Sequence, residues 1–289
     1  MATGKNIRTY FQGKWHDEDV LIMRAADHGS WLGSTVFDGA RYAHGLTPDL
    51  LAHCQRLNDS AMAMSITPIH RAEEIAEIAR EGLQRYPKDA AVYIRPMYWA
   101  LHGGPLAVLP KPGATAFCIC LEELPLADPE KSVRLTRTRF ERPVIASSIV
   151  NAKTGCLYPN NARMLAEANE KGFDNALVAD ALGNVAEAAT ANVFMTRDGE
   201  VLTPAANGTF LAGVTRKRII QLLREAGYRV SETILTFEDF HRAEEVFLTG
   251  NLSKVTTVSQ FENTHYQPGP IAKAARRLYW EWAVTESTT

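Results

Sequence analysis

Two hydrophobic periods divide the chain into segments. Near the N-terminus, short apolar runs at Arg8–Phe11 and Val20–Met23 lie either side of a turn at Gln12–Gly13–Lys14 and predict two strands. Asp27 to Arg41 carries Gly29, Gly33 and Gly39 among Trp31 and Phe37, too many glycines for a stable helix. This leaves two readings, a pocket-lining segment or a buried loop and strand. Thr47–Pro48 carry the N-cap and first-turn signals of a helix, which Leu50, Leu51, Leu57, Met62 and Met64 continue at near-helical spacing. Arg71 to Tyr86 predicts a second amphipathic helix, and Ala91–Leu101 and Thr115–Leu124 predict strands.

The second half reads differently. Val133–Phe140 predicts a strand, and a helical run follows at about Asn161–Lys171. Asp174–Asp180, Val185–Met195 and Glu200–Thr203 are separated by tight turns at Leu182–Asn184 and Asp198–Gly199, which predicts an antiparallel meander. Arg216–Ala226 is a strong helix that stops at Gly227. Two further strands, Glu244–Leu248 and one running to Val258, flank a turn at Thr249–Ser253, and a helix at Ile271–Ala283 follows. The charged, proline-punctuated stretch at 124–131 has no periodicity and reads as a linker between an N-terminal domain (1–123) and a C-terminal one (132–289).

Composition narrows the function classes. With 289 residues, 46% hydrophobic and 22% charged, the chain has the make-up of an ordinary globular protein. A formal charge of −2 argues against nucleic acid or an anionic membrane as partner. No apolar run reaches the length of a membrane span, and Met1–Arg8 lacks a secretory signal. Cys54, Cys118, Cys120 and Cys156 form neither a disulfide framework nor a metal-ligand spacing, so we expect no metal site and a reducing, cytoplasmic compartment.

Three features carry chemistry. Lys153 lies in Asn151–Tyr158 among small and polar residues, with no acidic neighbour in sequence to hold its proton. Glu187 lies among Ala, Thr and Val in an apparent buried strand, where a carboxylate must pair with a cation or a ligand nitrogen unless the strand is an edge. Gly213, Val214 and Thr215 open a helix, and free N–H groups, the helix dipole and a hydroxyl there suit a phosphate. The Gly208-to-Gly213 spacing imitates a P-loop, but Val214 stands where that loop needs lysine, which excludes an ATP reading. In the first half, Tyr93 and Arg95 share one strand face, suited either to a carboxylate or to a surface ion pair. Lysine, carboxylate and phosphate site together are what pyridoxal phosphate requires. A phospholigand-binding protein without catalysis is the competing class, and it leaves Lys153 and Glu187 unexplained.

From Thr9 to Ala283 the chain resembles the class IV aminotransferases, the fold-type IV pyridoxal phosphate enzymes, and within them the branched-chain amino acid aminotransferases. Lys153–Gly155 with Tyr158, Gly183–Phe194, Leu211–Thr215 and His53–Ser60 are similar to the family's motifs. The resemblance implies a two-domain α/β (α+β) enzyme of D-amino acid aminotransferase-like fold. A small N-terminal α/β domain would cap a C-terminal domain on an antiparallel barrel-like sheet, with pyridoxal 5'-phosphate between them. It implies Lys153 as catalytic Schiff-base residue, and Tyr158, Glu187, Arg56, Leu211, Gly213, Val214, Thr215 and Asn251 as cofactor-binding residues. It implies Phe37, Gly39, Arg41, Tyr93, Arg95 and Leu252 at the substrate. Asp38 stands for the subgroup's glutamate, Leu32 for a pocket tyrosine, and Asn251–Leu252 for a Thr-Ala pair that contacts phosphate and carboxylate. The activity implied is transfer of the amino group of L-leucine, L-isoleucine or L-valine to 2-oxoglutarate, a branched-chain amino acid biosynthesis reaction, in a homodimer or higher oligomer. D-amino acid transaminases, (R)-selective amine transaminases and aminodeoxychorismate lyase share the fold and stay open as alternatives.

Overall fold

The computed structural model describes residues 4–286. The described residues form two compact units, one of residues 4–126 with 152–156, the other of 127–151 with 157–286. The division at Leu126 falls inside the expected linker. The segment 152–156, which carries Lys153, belongs to the first unit although the chain on both sides of it belongs to the second, whereas the sequence reading placed all of 132–289 in one domain.

The first unit is a mixed-sequence-order sheet with two long helices and one short one. Its elements are β1 (Lys5–Phe11), β2 (Lys14–His16), α1 (His28–Trp31), β3 (Thr35–Phe37), β4 (Ala40–Tyr42), α2 (Leu50–Ala63), α3 (Ala72–Leu83), β5 (Val92–Ala100) and β6 (Thr115–Glu123). Its strands run β2-β1-β6-β5-β3, with β4 also pairing β5, and every pairing is antiparallel. The expected strand Val20–Met23 does not form; Leu21 is wholly exposed. Gln12 and Gly13 both take left-handed backbone, so a two-residue turn returns the chain at once and Lys14–His16 takes the place beside β1. Helix α2 starts at Leu50, later than Thr47–Pro48 suggested, because Asp49 is left-handed (φ 56°) and breaks the helical path. Ala72, Ile75, Ala76, Ala79 and Leu83 give α3 a buried stripe, which packs in one core with Leu57, Val92, Ile94, Tyr98 and Ile119.

The second unit contains β7 (Val133–Arg142), α4 (Tyr158–Glu170), β8 (Asn175–Asp180), β9 (Val185–Ala188), β10 (Asn192–Arg197), β11 (Glu200–Pro204), α5 (Val214–Glu225), β12 (Arg229–Thr233), α6 (Phe237–His241), β13 (Glu245–Gly250), β14 (Lys254–Phe261), β15 (Thr264–His265) and α7 (Pro270–Glu286). The strand order is β12-β11-β10-β13-β14-β7-β8-β9. The antiparallel expectation holds for the hairpins but not for the sheet: β11–β12, β14–β7 and β7–β8 are parallel. The expected strand Val185–Met195 is two strands, since the chain bends at Thr190–Ala191 and β9 pairs β8 while β10 pairs β11 and β13. Helix α4 starts at Tyr158, three residues earlier than predicted, with Pro159 in its first turn where no N–H is needed. The N-terminus of α7 is capped from the sheet: Ile271 and Ala272 donate their N–H groups to the Glu245 carboxylate at 3.1 and 2.6 Å.

One buried charge cluster ties the first unit's sheet to α2. Asp38, 0% exposed, sits in the turn between β3 and β4. Its carboxylate accepts hydrogen bonds from Arg56 Nε (2.7 Å) and Nη2 (2.9 Å), from His53 Nδ1 (2.7 Å) and from the Gly39 N–H (2.7 Å). Burial alone pushes such a carboxyl up; Arg56 and His53 outweigh it and hold Asp38 well below its ordinary value of 3.8. A depressed carboxyl contributes stability that is fully present above its unfolded-state value and is lost as pH falls through that value toward the folded one. Asp38→Asn is expected to lower unfolding free energy at pH 7 by about 3–5 kcal/mol, because it leaves a buried cation unanswered. Urea denaturation from pH 6 down to pH 2 checks this, and the variant's stability is expected to vary less below pH 4 than the wild type's.

Candidate active site

Lys153 is placed by its backbone. Its N–H donates to Ser60 Oγ on α2 at 3.0 Å, and its carbonyl accepts the Phe37 N–H at 3.0 Å. Thr154 bridges to Val36, and its hydroxyl donates to the Thr35 carbonyl at 2.8 Å. The segment is thereby an added edge on β3, and the Lys153 ammonium lies 4.9 Å from the centroid of the Phe37 ring.

The candidate substrate residues of the first unit sit on adjoining strands. Arg41 on β4 is in register with Tyr93 on β5. The Tyr93 hydroxyl approaches Gly39 so closely that a Cβ there would lie 2.2 Å from it, so only glycine fits. Arg41 is fully buried; Nη2 donates to the Leu124 carbonyl at 2.7 Å, and Nε and Nη1 make no hydrogen bond among the described residues. Burial pulls its pKa down to about 10, against the pull of Tyr93. Arg95 is differently placed. Its guanidinium pairs with Glu122 on β6, contacts Cys120 Sγ at 3.4 Å and stacks on the Tyr93 ring at 5.8 Å. Glu122 is itself buried and accepts the Gly4 N–H at 2.8 Å. Of the two sequence readings for Arg95, carboxylate ligand or ion pair, the observed contact is an ion pair, a half-buried one. Arg56, predicted at the phosphate, is gripped by Asp38 and is 16% exposed in its side chain. His28 is a buried loop residue, with Nδ1 2.8 Å from Ser34 Oγ and Nε2 2.9 Å from the Ala107 carbonyl, and His102 is exposed.

In the second unit Glu187 lies on β9, and the cation it needed is Arg142, at the end of β7. Arg142 Nε lies 3.0 Å from Glu187 Oε1. Arg142 also donates to Asn161 Oδ1 (2.7 Å) and to the carbonyls of Ala188 (3.2 Å) and Ala189 (2.9 Å), which fixes its fork around the carboxylate. Asn192 Nδ2 donates to the other oxygen of Glu187 at 3.1 Å and lies 3.4 Å from the Leu211 carbonyl. Neither partner was identified in sequence. Arg142 closes a long strand among other arginines, and Asn192 has no local signal beyond its place after a bend.

Gly213 is the N-cap residue of α5, and a Cβ on it would lie 2.0 Å from Asn192 Oδ1. Val214 and Thr215 form the first turn, with Thr215 buried. Asn192 thus joins the pair Glu187–Arg142 to the helix N-terminus, and Thr249, its ladder partner, joins both to the turn that holds Asn251 and Leu252. Tyr158 opens α4. Each unit therefore gathers its own share of the predicted residues: Phe37, Gly39, Arg41, Arg56, Tyr93, Arg95 and Lys153 in the first, the rest in the second.

The donor set fits pyridoxal phosphate. An amine held by backbone, a carboxylate fixed on two sides and a helix start narrowed onto an asparagine supply a carbonyl-capturing group, a partner for a ring nitrogen and an anion site. Comparison with known proteins agrees. The amino-transferase class IV family matches residues 35–261. A putative branched-chain-amino-acid aminotransferase of Methanocaldococcus jannaschii is 30% identical over 280 residues, 94% of this chain and 95% of the relative. An aminotransferase from Brucella abortus, solved bound to the co-factor PLP, superposes with a TM-score of 0.94 at 54% identity, covering 96% of this chain and 99% of that one. A branched-chain aminotransferase from Thermoproteus uzoniensis, solved with norvaline, superposes with a TM-score of 0.87 at 25% identity, covering 96% and 95%. The match spans the strand beneath Lys153, the Glu187 strand and the helix start at Gly213, and the chain belongs to the class IV aminotransferases.

Proposed function

We propose that this enzyme moves the amino group of a branched-chain L-amino acid (leucine, isoleucine or valine) to 2-oxoglutarate, with pyridoxal 5'-phosphate as cofactor. The observation that carries the amino acid part of the reading is Arg41. A buried guanidinium with two nitrogens that make no hydrogen bond among the described residues, in register with Tyr93, suits a carboxylate. The names of the relatives support the branched-chain side chain, and so does the apolar Phe37 ring beside Lys153.

Bound cofactor supplies an electron-accepting ring that stabilises negative charge at the substrate Cα. The residues do the rest. Lys153 would hold the cofactor's carbonyl carbon through its amine and would serve as the acid and base that moves the proton at the substrate Cα. Glu187, held by Arg142 and Asn192, accepts a hydrogen bond from the protonated ring nitrogen. Gly213, Val214 and Thr215 offer N–H groups and a hydroxyl to the phosphate, with Leu211, Asn251, Tyr158 and Arg56 assigned around the same cofactor. Arg41 and Tyr93 take the substrate carboxylate, with Gly39 leaving room for the tyrosine hydroxyl; Arg95, neutralised by Glu122, orients the Tyr93 ring. Leu252 and Phe37 border the side chain.

Protein purified with pyridoxal phosphate is expected to show a yellow band that L-leucine alone bleaches and 2-oxoglutarate restores. A band that L-leucine leaves intact, while a D-amino acid or a primary amine bleaches it, overturns the assignment of donor. Lys153→Ala is expected to slow bleaching by about 10²–10⁴-fold. Arg41→Ala is expected to raise the L-leucine concentration needed for half-bleaching at least about tenfold, the size of one charged hydrogen bond. Bleaching by an amine without a carboxylate is expected to be unaffected by that change.

A further inference from the structure

Lys254 is a fully buried lysine that the reaction above does not use. It opens β14, pairs with Gly250 across the turn Asn251–Ser253, and holds left-handed backbone at φ 61°. Its Nζ donates to Asn251 Oδ1 at 2.6 Å and lies 5.3 Å from the centroid of the Tyr279 ring on α7. Burying an ammonium and bending its backbone are both unfavourable, so the fold keeps this lysine against two costs.

The bond to Asn251 has a directional consequence. A lysine amine donates and does not accept here, so the amide atom facing it is the oxygen, and the Asn251 amide nitrogen points the other way. That nitrogen is buried and makes no hydrogen bond among the described residues, and the same is true of the Thr249 hydroxyl in a residue 1% exposed. Thr249 is the ladder partner of Asn192, whose side chain meets Glu187 and the Leu211 carbonyl just ahead of the α5 N-terminus. Two polar groups without a hydrogen bond among the described residues thus stand at the end of β13, beside the place where a helix start, an asparagine and a paired carboxylate adjoin.

We infer that Lys254 is a positioning residue for an anion-binding turn: it locks the Asn251 amide with Nδ2 turned toward an anionic oxygen ligand, a phosphate monoester or a carboxylate. Lys254 acts through Asn251 and touches neither ligand itself. The inference deepens the transaminase reading and rests on it only for which anion arrives.

Cofactor-stripped protein is titrated with inorganic phosphate and with pyridoxal phosphate by calorimetry, for the wild type, Lys254→Met, Asn251→Ala and the double variant. Lys254→Met is expected to weaken anion binding about tenfold, in the range of a lost charged hydrogen bond, and to add nothing once Asn251 is alanine. Loss of phosphate and pyridoxal phosphate affinity identifies the phosphate as the ligand. Unchanged affinity for both, with about tenfold more L-leucine needed to bleach the loaded enzyme, identifies the substrate carboxylate. Additive effects of the two single changes, or wild-type binding of all three probes by a folded Lys254→Met protein, overturn the inference. Asn251→Asp keeps an acceptor for Lys254 and so preserves the fold while turning the donor into an anion. It is expected to lose phosphate or L-leucine binding with an unchanged melting temperature, and wild-type binding by this variant also overturns the inference. A wild-type protein that takes no pyridoxal phosphate sinks the transaminase reading instead, and the Asn251→Asp effect on inorganic phosphate then still decides the role of Lys254.

Discussion

The backbone pairing of Lys153 with β3 is the constraint on which the proposed chemistry depends. An amine that must reach a carbonyl carbon cannot be left to the rotational freedom of a surface lysine. Here the Phe37 N–H, the Ser60 hydroxyl and the Thr35 carbonyl together fix residues 153 and 154 against the sheet. Each such bond is worth about 0.5–1.5 kcal/mol net, and three in a row leave the side chain with little freedom at its root. The Phe37 ring takes up the rest by lying beneath the ammonium. This explains why five residues leave their sequence neighbours to join another unit: the sheet edge, and not the adjoining helix α4, gives the lysine its place.

A second pattern concerns buried charge. Asp38 is answered by Arg56 and His53, Glu122 by Arg95 and Glu187 by Arg142 with Asn192, each within its own unit. The pairs are not chiefly a source of stability, since burying two charges roughly cancels their attraction. What they supply is direction. Arg142 and Asn192 approach Glu187 on different oxygens, so the carboxylate plane is set before any ligand arrives, as a site that accepts one particular hydrogen bond requires. Asp38 does the same for Arg56, whose Nε and Nη2 are both committed to it.

The sequence made some of this visible and hid the rest for physical reasons. Lys153, Glu187 and Gly213 stand out in the sequence as candidates because each is marked by its surroundings: a lysine without acids nearby, a carboxylate among apolar residues, a glycine opening a strong helix. The tight turns at Leu182–Asn184 and Asp198–Gly199 were legible because turn chemistry is local. Parallel pairings such as β7–β8 leave no local mark, so the turns at 182–184 and 198–199 announced the antiparallel pairs β8–β9 and β10–β11 but not the parallel strands beside them. Arg142 as partner of Glu187, and the attachment of 152–156 to β3, are contacts between distant residues that no periodicity encodes. The missing strand at Val20–Met23 has the opposite cause: an apolar run predicts a strand, but the turn at Gln12–Gly13 had already filled the position beside β1 with Lys14–His16.

The two arginines near Tyr93 show how local charge decides what a motif can do. Tyr93 and Arg95 share a strand and face, and from spacing alone both point toward one ligand. Glu122, in register with Tyr93 on the neighbouring strand, changes the outcome by taking the Arg95 guanidinium. A guanidinium answered by a buried carboxylate presents little net charge to a second anion, whereas Arg41, with one nitrogen on a neutral carbonyl, keeps its charge for whatever meets its other two. In the proposed reaction, preference for a donor that carries a carboxylate would rest on Arg41, which has no acidic partner among the described residues, and Arg95 is left to shape the tyrosine between them.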